Sequence, residues 1–171
     1  MTNNWTIYES PLGPLTLVGG PAGLRALDFP GHAGPLEEND HDPGFFAVAM
    51  RQLDEYFAGR REGFGIKLDL RGTPFQRSVW DELQRIPCGS TTTYGALARA
   101  VGRLDAVRAV GAAVGRTPVP IIVPCHRAVG SNGSLTGYRG GLQRKRALLD
   151  LERRGAPGGM LRAAPDRASV S

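Results

Sequence analysis

Pro124-Cys125-His126-Arg127 sets a thiol, an imidazole and a guanidinium side by side. The apolar run Pro120-Ile121-Ile122-Val123 leads straight into them. Cysteine is a strong nucleophile only as thiolate, and an adjacent imidazole or positive charge favours that form. Both neighbours are present, so Cys125 is expected to carry a lowered pKa. Free cysteine is also among the residues most often buried for packing alone, and an arbitrary cysteine is more often structural than catalytic. The flanks separate the two readings. Prolines on both sides of a β-branched run predict a short buried strand with a stiff exit. Cys125 then stands at the strand end, where sites gather.

The elements that must hold this segment follow from punctuation and periodicity. Trp5–Ser10 alternates, Pro11–Pro14 turns, and Leu15–Val18 is a second strand, which together predict a hairpin. Leu24–Phe29 is a third strand, residues 30–44 a loop, and Ile66–Leu70 a fourth strand. Phe46, Ala49, Met50, Leu53, Tyr56 and Phe57 fall at helical spacing within Phe45–Ala58, closed by Gly59. Nothing in residues 1–70 predicts chemistry, and His32 and His41 read as solvated loop residues. Arg71-Gly72 is the expected boundary. Thr73-Pro74-Phe75-Gln76 then opens a helix with a capping box, striped by Phe75, Val79, Leu83 and Ile86 and stopped by Pro87. Trp80 reads as core and Cys88 as a passive small residue.

Thr93–Ala100 predicts a short helix, Val101-Gly102-Arg103 a tight turn, and a second helix runs from an Asp105 cap to about Val114. This is the outline of a helix-turn-helix, which an ordinary helical hairpin also fits. The second helix is nearly bare: Arg108 is the only long polar side chain between Asp105 and Arg116. Such a surface suits close approach to a nucleic-acid backbone with one inserted side chain. A last helix follows Gly140-Gly141, with Leu142, Leu148, Leu149 and Leu151 inward, Glu152 in its final turn and Gly155 as cap. Residues 156–171 lack periodicity and read as a loose tail.

Charge supports a polyanionic partner. Residues 1–70 carry 5 Lys+Arg against 10 Asp+Glu, whereas residues 71–171 carry 16 against 6. Nineteen of the 21 cations are Arg, the type that forks onto phosphate. Two cysteines and three scattered histidines provide no metal-ligand spacing and no disulfide framework. Neither a long apolar run nor a signal pattern is present, so a soluble cytoplasmic protein without a membrane partner is expected.

Pro124-Cys125-His126-Arg127 resembles the active-site signature of the 6-O-alkylguanine-DNA alkyltransferases (methylated-DNA–protein-cysteine methyltransferases). The likeness extends to Thr93-Tyr94-Gly95, Arg108-Ala109-Val110-Gly111, Pro118-Val119-Pro120-Ile121, Thr136-Gly137-Tyr138, Gly140-Gly141-Leu142 and Glu152, in family order from about Thr73 to Gly155. It is weaker over the first 70 residues. The resemblance implies two small domains of α/β class. An antiparallel sheet with one helix, ribonuclease-H-like, spans 1–71, and a mostly helical, winged-helix-like domain with the helix-turn-helix spans 72–155. It also implies direct-reversal repair without a cofactor. The alkyl group passes once and irreversibly from guanine oxygen to Cys125, His126 acts through a water as base, and Glu152 orients His126. Tyr94 supplies the proton to the leaving base, as a phenol can at neutral pH.

The target lies inside the duplex and must be flipped out. By likeness, Arg108 fills the gap from the minor groove, and Thr93, Tyr94, Gly95, Arg103 and Ser131 meet the DNA backbone. The loop Ala128–Arg139 walls the base pocket, with main-chain groups at Cys125, Ala128 and Arg139 reading the base and Tyr138 beside them. Arg127 is expected to hold the segment in place. A monomer in solution is expected, with cooperativity on DNA left open. One departure stands out: Thr117 replaces the family's usual Asn before the proline, which predicts a looser hinge. No Cys or His set could supply the structural zinc of some members. Three rivals remain at this point. They are a lesion sensor without transfer, a helix-turn-helix regulator sensing alkylation at Cys125, and a Cys-His hydrolase.

Overall fold

The structure, a computed structural model, describes residues 3–155; the tail expected at 156–171 lies outside them. β1 (Asn4–Ser10), β2 (Gly13–Gly20) and β3 (Gly23–Asp28) form an antiparallel meander in that order. Tyr8 faces Leu15 and Ser10 faces Gly13, and the register slips by one residue at Val18/Gly19. Inward residues of the alternating strands, Tyr8, Leu15, Leu17 and Leu27, are buried. They meet Ala49, Leu53 and Tyr56 from the helix α1 (Ala47–Phe57). α1 begins two residues later than its periodicity predicts, because Pro43–Phe46 tightens into a 3-10 turn capped by Asp42.

The strand expected at Ile66–Leu70 is reduced to one parallel bridge, Leu24 with Leu68. Leu24 N donates to Lys67 O at 2.9 Å and Asp69 N to Leu24 O at 2.8 Å, and no further pairing follows. His32 and His41 are exposed, as expected, and each also makes a contact. His41 packs on Trp5 with ring centroids 4.6 Å apart, and His32 Nδ1 lies 3.4 Å from Arg139 Nε.

α2 (Pro74–Leu83) starts in the expected capping box, with Thr73 and Gln76 bonding each other's main chain. It unwinds after Leu83 into a turn, short of Pro87. Gly72 lies so close over Trp80 that a Cβ there would stand 2.5 Å from the indole ring, so the link into α2 needs glycine. A parallel pair, β4 (Thr92–Thr93) with β5 (Ala128–Val129), was not signalled by the sequence. The predicted helix-turn-helix is α3 (Tyr94–Ala100) and α4 (Val107–Gly115). Gly102 makes their turn at φ +74°, where a side chain would be strained. Asp105 does not cap α4: a 3-10 turn over Leu104–Ala106 intervenes, and Asp105 pairs with Arg103 at 3.5 Å. α5 (Leu142–Gly155) buries Lys145, Leu148, Leu149 and Glu152 on one face. Leu142, expected inward, is exposed, and Gly155 is the last helical residue, not a cap.

Two apolar cores result, and the Pro118–Ala128 segment is divided between them. Val119, Ile121 and Ile122 pack with the sheet and α1. Val123, Cys125 and Ala128 pack with α2, α3 and α4. The two-part α/β architecture expected from the sequence is the one observed.

Candidate active site

The strand expected before Cys125 does not form. Prolines 118, 120 and 124 remove the N–H donors a ladder requires. The chain instead makes a tight turn in which Val123 N donates to Val119 O at 2.9 Å and Ile121 takes φ +75°. Left-handed backbone at a β-branched residue is strained, and burial of Ile121 between packed neighbours holds it there. Pro124, at φ −79° and ψ +63°, is the centre of an inverse γ-turn closed by Cys125 N to Val123 O at 2.7 Å. The proline ring fixes that φ and so aims the next residue. Cys125, His126 and Arg127 then occupy one buried 3-10 turn.

His126 is fully buried, and its Nε2 lies 2.6 Å from Glu152 Oε2. An ionised carboxylate can only accept, so Nε2 carries the proton and Nδ1 bears the basic lone pair. Among the described residues, Nδ1 and the Tyr138 hydroxyl are the buried side-chain polar atoms without a hydrogen-bond partner. Glu152 also accepts from Arg127 Nε at 2.8 Å, Arg127 Nη2 at 2.8 Å and the Tyr56 hydroxyl at 2.6 Å. Arg127 Nη1 donates to Ile86 O at 2.6 Å. The guanidinium therefore clamps Glu152 to the turn that follows α2 and does not serve the thiol.

The electrostatics follow from this network. Burial alone would raise the Glu152 carboxyl, but His126 and then Arg127 outweigh it and hold the group well below the usual carboxylate range. Burial lowers the His126 pKa; Glu152 pulls it back up, while Arg127 and Lys145 push it down, and the net shift is downward. A neutral, base-competent imidazole results at neutral pH. The expected lowering at Cys125 is corrected: burial pushes the thiol up to about 11, against opposing pulls from Thr117, Tyr138 and Lys145. At rest the sulfur is a thiol, and it becomes a nucleophile only as its proton leaves.

Thr117 donates its hydroxyl to Val114 O at 2.7 Å, closing the end of α4. One hydroxyl has one proton, so it serves either that carbonyl or an ionised sulfur at a given moment. Ala128 O accepts from Lys145 Nζ at 2.7 Å, and Thr136 O accepts from the same ammonium at 3.2 Å. Lys145 thus ties Ala128 to Thr136 across the loop that follows the 3-10 turn. Tyr138 sits under the ammonium and edge-on to Phe29. Arg139 reaches the sheet half, with Nε 3.4 Å from His32 Nδ1 and Nη2 3.8 Å from Asp28.

Tyr94 Oη lies 2.9 Å from Thr136 Oγ1, so the first turn of α3 touches the same loop. Thr93 Oγ1 accepts from Ala96 N as the α3 cap, with Gly95 half-buried beside it. Arg103 lies over the Phe75 ring at 5.5 Å, and Arg108 and Ser131 are exposed. A Cβ on Gly111 would already stand 3.9 Å from the Tyr94 ring, which shows how closely α4 approaches α3.

Sequence reasoning missed Tyr56 and Lys145. Both signals were present. A tyrosine in an inward helical stripe needs a partner for its hydroxyl. Lys145, Leu148, Leu149 and Glu152 follow the i, i+3, i+4, i+7 pattern of one face.

Comparison with known proteins places the geometry in context. The 6-O-methylguanine DNA methyltransferase DNA-binding domain matches residues 74–154. The ribonuclease-like domain of the same proteins matches residues 3–70. A methylated-DNA–protein-cysteine methyltransferase from Methanosarcina acetivorans is 48% identical over 151 residues, 86% of this chain and 97% of that protein. One from Mycolicibacterium paratuberculosis is 50% identical over 155 residues, 87% of this chain and 92% of the relative. The crystal structure of Mycobacterium tuberculosis OGT in complex with DNA superimposes with a TM-score of 0.85 at 45% identity, covering 96% of this chain and 99% of that one.

Proposed function

The chain belongs to the 6-O-methylguanine-DNA methyltransferase family, and from that premise we infer that it repairs DNA by direct reversal, as a methylated-DNA–[protein]-cysteine S-methyltransferase. The buried relay behind the thiol, Cys125 beside His126 with Nε2 on Glu152, is the observation that carries the reading. A 6-O-alkylguanine is flipped from duplex DNA into the pocket under the Ala128–Arg139 loop. The Cys125 proton passes through a water to His126 Nδ1, and Glu152 balances the imidazolium. The sulfur attacks the alkyl carbon, the carbon–oxygen bond breaks, and Tyr94 protonates the departing guanine. Solvent exchange then restores Tyr94 as the imidazolium gives up its proton. The thioether has no leaving group of comparable quality, so each molecule reacts once and needs no cofactor.

The helix-turn-helix approaches from the minor groove as a monomer. Arg108 enters the stack, and Thr93, Gly95, Arg103 and Ser131 meet the backbone. An exposed Arg108 on a helix otherwise lined by Ala109 and Ala112 supports this mode. A base-reading regulator would need polar side chains there. We place the protein in the cytoplasm, on the nucleoid when bound.

The test is direct. The protein is incubated with a duplex carrying 6-O-methylguanine, digested with trypsin, and the peptide spanning residues 117–127 is weighed. One added methyl on Cys125 with restored guanine is the expected result. Restored guanine without protein methylation, or binding without either change, refutes transfer.

A further inference from the structure

Tyr56 belongs to the half of the chain in which the sequence shows no chemistry, yet its hydroxyl ends on the carboxylate behind the base. It is buried on α1 among Phe57 and Phe64, with ring centroids at 5.2 and 5.4 Å. Packing of that kind needs only the ring. The hydroxyl does something further: it donates to Glu152 Oε2 at 2.6 Å, the same oxygen that holds His126 Nε2 at 2.6 Å. Arg127 Nη2 reaches that oxygen too, at 2.8 Å, while Arg127 Nε takes Oε1. Three donors thus share the negative charge on one atom, and every increment given to Tyr56 is withheld from the imidazolium.

We propose that Tyr56 is a positioning residue of the transfer site, contributed by the N-terminal sheet-and-helix half: its hydroxyl fixes Glu152 Oε2 and sets how basic His126 is. The inference rests on the function proposed above. Burial first, and Glu152 second, keep the phenol protonated far above neutral pH, so it is a permanent donor. The groups facing this cluster come from every element packed on it. His126, Arg127 and Cys125 lie on the 3-10 turn, Glu152 and Lys145 on α5, and Tyr138 on the pocket loop. Cys88, after α2, acts electrostatically on both Tyr56 and Arg127. Removing only the Tyr56 hydroxyl leaves every one of these side chains in place, so the effect read at His126 comes from the lost donor.

The sign is set by charge sharing. Without the hydroxyl, Glu152 holds more of its charge against the imidazolium and His126 becomes more basic. A stronger phenol donor does the reverse. Full-length Tyr56→Phe is compared with wild type by NMR titration of the His126 ring nitrogens and by the pH dependence of methyl transfer from a 6-O-methylguanine duplex. The His126 titration is expected to rise by about half a unit, the scale of one hydrogen bond among several to a carboxylate. The acid limb of the transfer rate should rise with it.

Site-specific 3-fluorotyrosine at position 56 keeps the packing and acidifies the phenol, and should move both downward. It decides the matter if Tyr56→Phe does not fold. A His126 titration that stays put with fluorotyrosine, or a rate loss equal at all pH values with no shift of the limb, overturns the proposal and leaves Tyr56 a packing residue. If wild type transfers no methyl group, the function reading fails, and the NMR titration still judges Tyr56 alone.

Discussion

Replacing Glu152 by Gln probes the network at its centre. The side chain keeps its shape, but one oxygen becomes an NH2 group. Four donors converge on the native carboxylate: Tyr56 Oη, His126 Nε2, Arg127 Nε and Arg127 Nη2. An amide oxygen accepts about two of them, and the new N–H bonds point at donors. The Arg127 guanidinium, buried to within 3% of full, loses its counter-charge. Breaking a buried pair by removing one partner costs about 3–5 kcal/mol. For a chain of this length 1 kcal/mol corresponds to about 2–4 °C, so the variant should melt roughly 10 °C lower at neutral pH.

The pH dependence provides a second reading of the same substitution. The folded carboxyl is held far below its unfolded value. Its stabilisation is therefore complete above the unfolded pKa of about 4.3 and is lost as pH falls through that value toward the folded one. The His126 contribution, also from a lowered folded pKa, begins to be lost higher, below about pH 6.5. Thermal melts between about pH 5 and pH 2 cover the window in which the unfolded carboxyl takes up its proton, and the Gln variant should lose stability less steeply there. Methyl transfer should slow by about 100-fold or more, the usual share of a positioned base. A melting point within about 3 °C of wild type, or an unchanged acid slope, would refute the account of Glu152 as a saturated buried anion.

Other substitutions test neighbouring steps. Arg108→Ala should slow repair of duplex DNA by about 10-fold or more while leaving iodoacetamide reactivity of Cys125 unchanged, since the side chain is exposed; equal duplex rates would count against insertion. Thr117→Asn presents two N–H donors where the hydroxyl has one proton, so both Val114 O and the sulfur can be served. That variant should ionise Cys125 below its present value of about 11 and react faster; a thiol titration at or above wild type removes the hinge argument. Lys145→Met deletes the bridge between Ala128 O and Thr136 O along with a charge that favours the thiolate. Its thiol pKa should rise and its melting point fall by roughly 5 °C or more, as for a lost charged hydrogen bond in a buried site; loss of neither would refute the clamp.

The parts of the fold that were legible in the sequence are those governed by local rules. The Thr73–Gln76 capping box, the hairpin alternation and the bare second helix all read out as expected, because each is settled within a few residues. The segment before Cys125 read as a strand because its residues are β-formers. Three prolines in that window already remove ladder donors and were underweighted, and the pull of two competing cores, which no window of sequence contains, completes the override. The thiol pKa was misjudged for a related reason. Adjacency in sequence placed cations near the sulfur, but Arg127 turns to Glu152 and burial dominates. The Tyr56 hydroxyl signalled its need for a partner, but not which one, because Glu152 lies 96 positions away.

The division of Pro118–Ala128 between two cores has an engineering consequence. Arg71 and Gly72 are exposed, and the cores meet through Leu68, Leu70 and Tyr138 as well as through the reactive segment itself. A chain cut at that link would yield one fragment holding the thiol and another holding Tyr56 and the apolar seat for Ile121. The first fragment keeps Cys125, His126, Glu152 and Tyr94 but loses the Tyr56 donor and the apolar seat for Ile121. A change in the rate and pH limb of transfer to Cys125 on adding the second fragment would then report reunion of the two pieces, recorded in a covalent label.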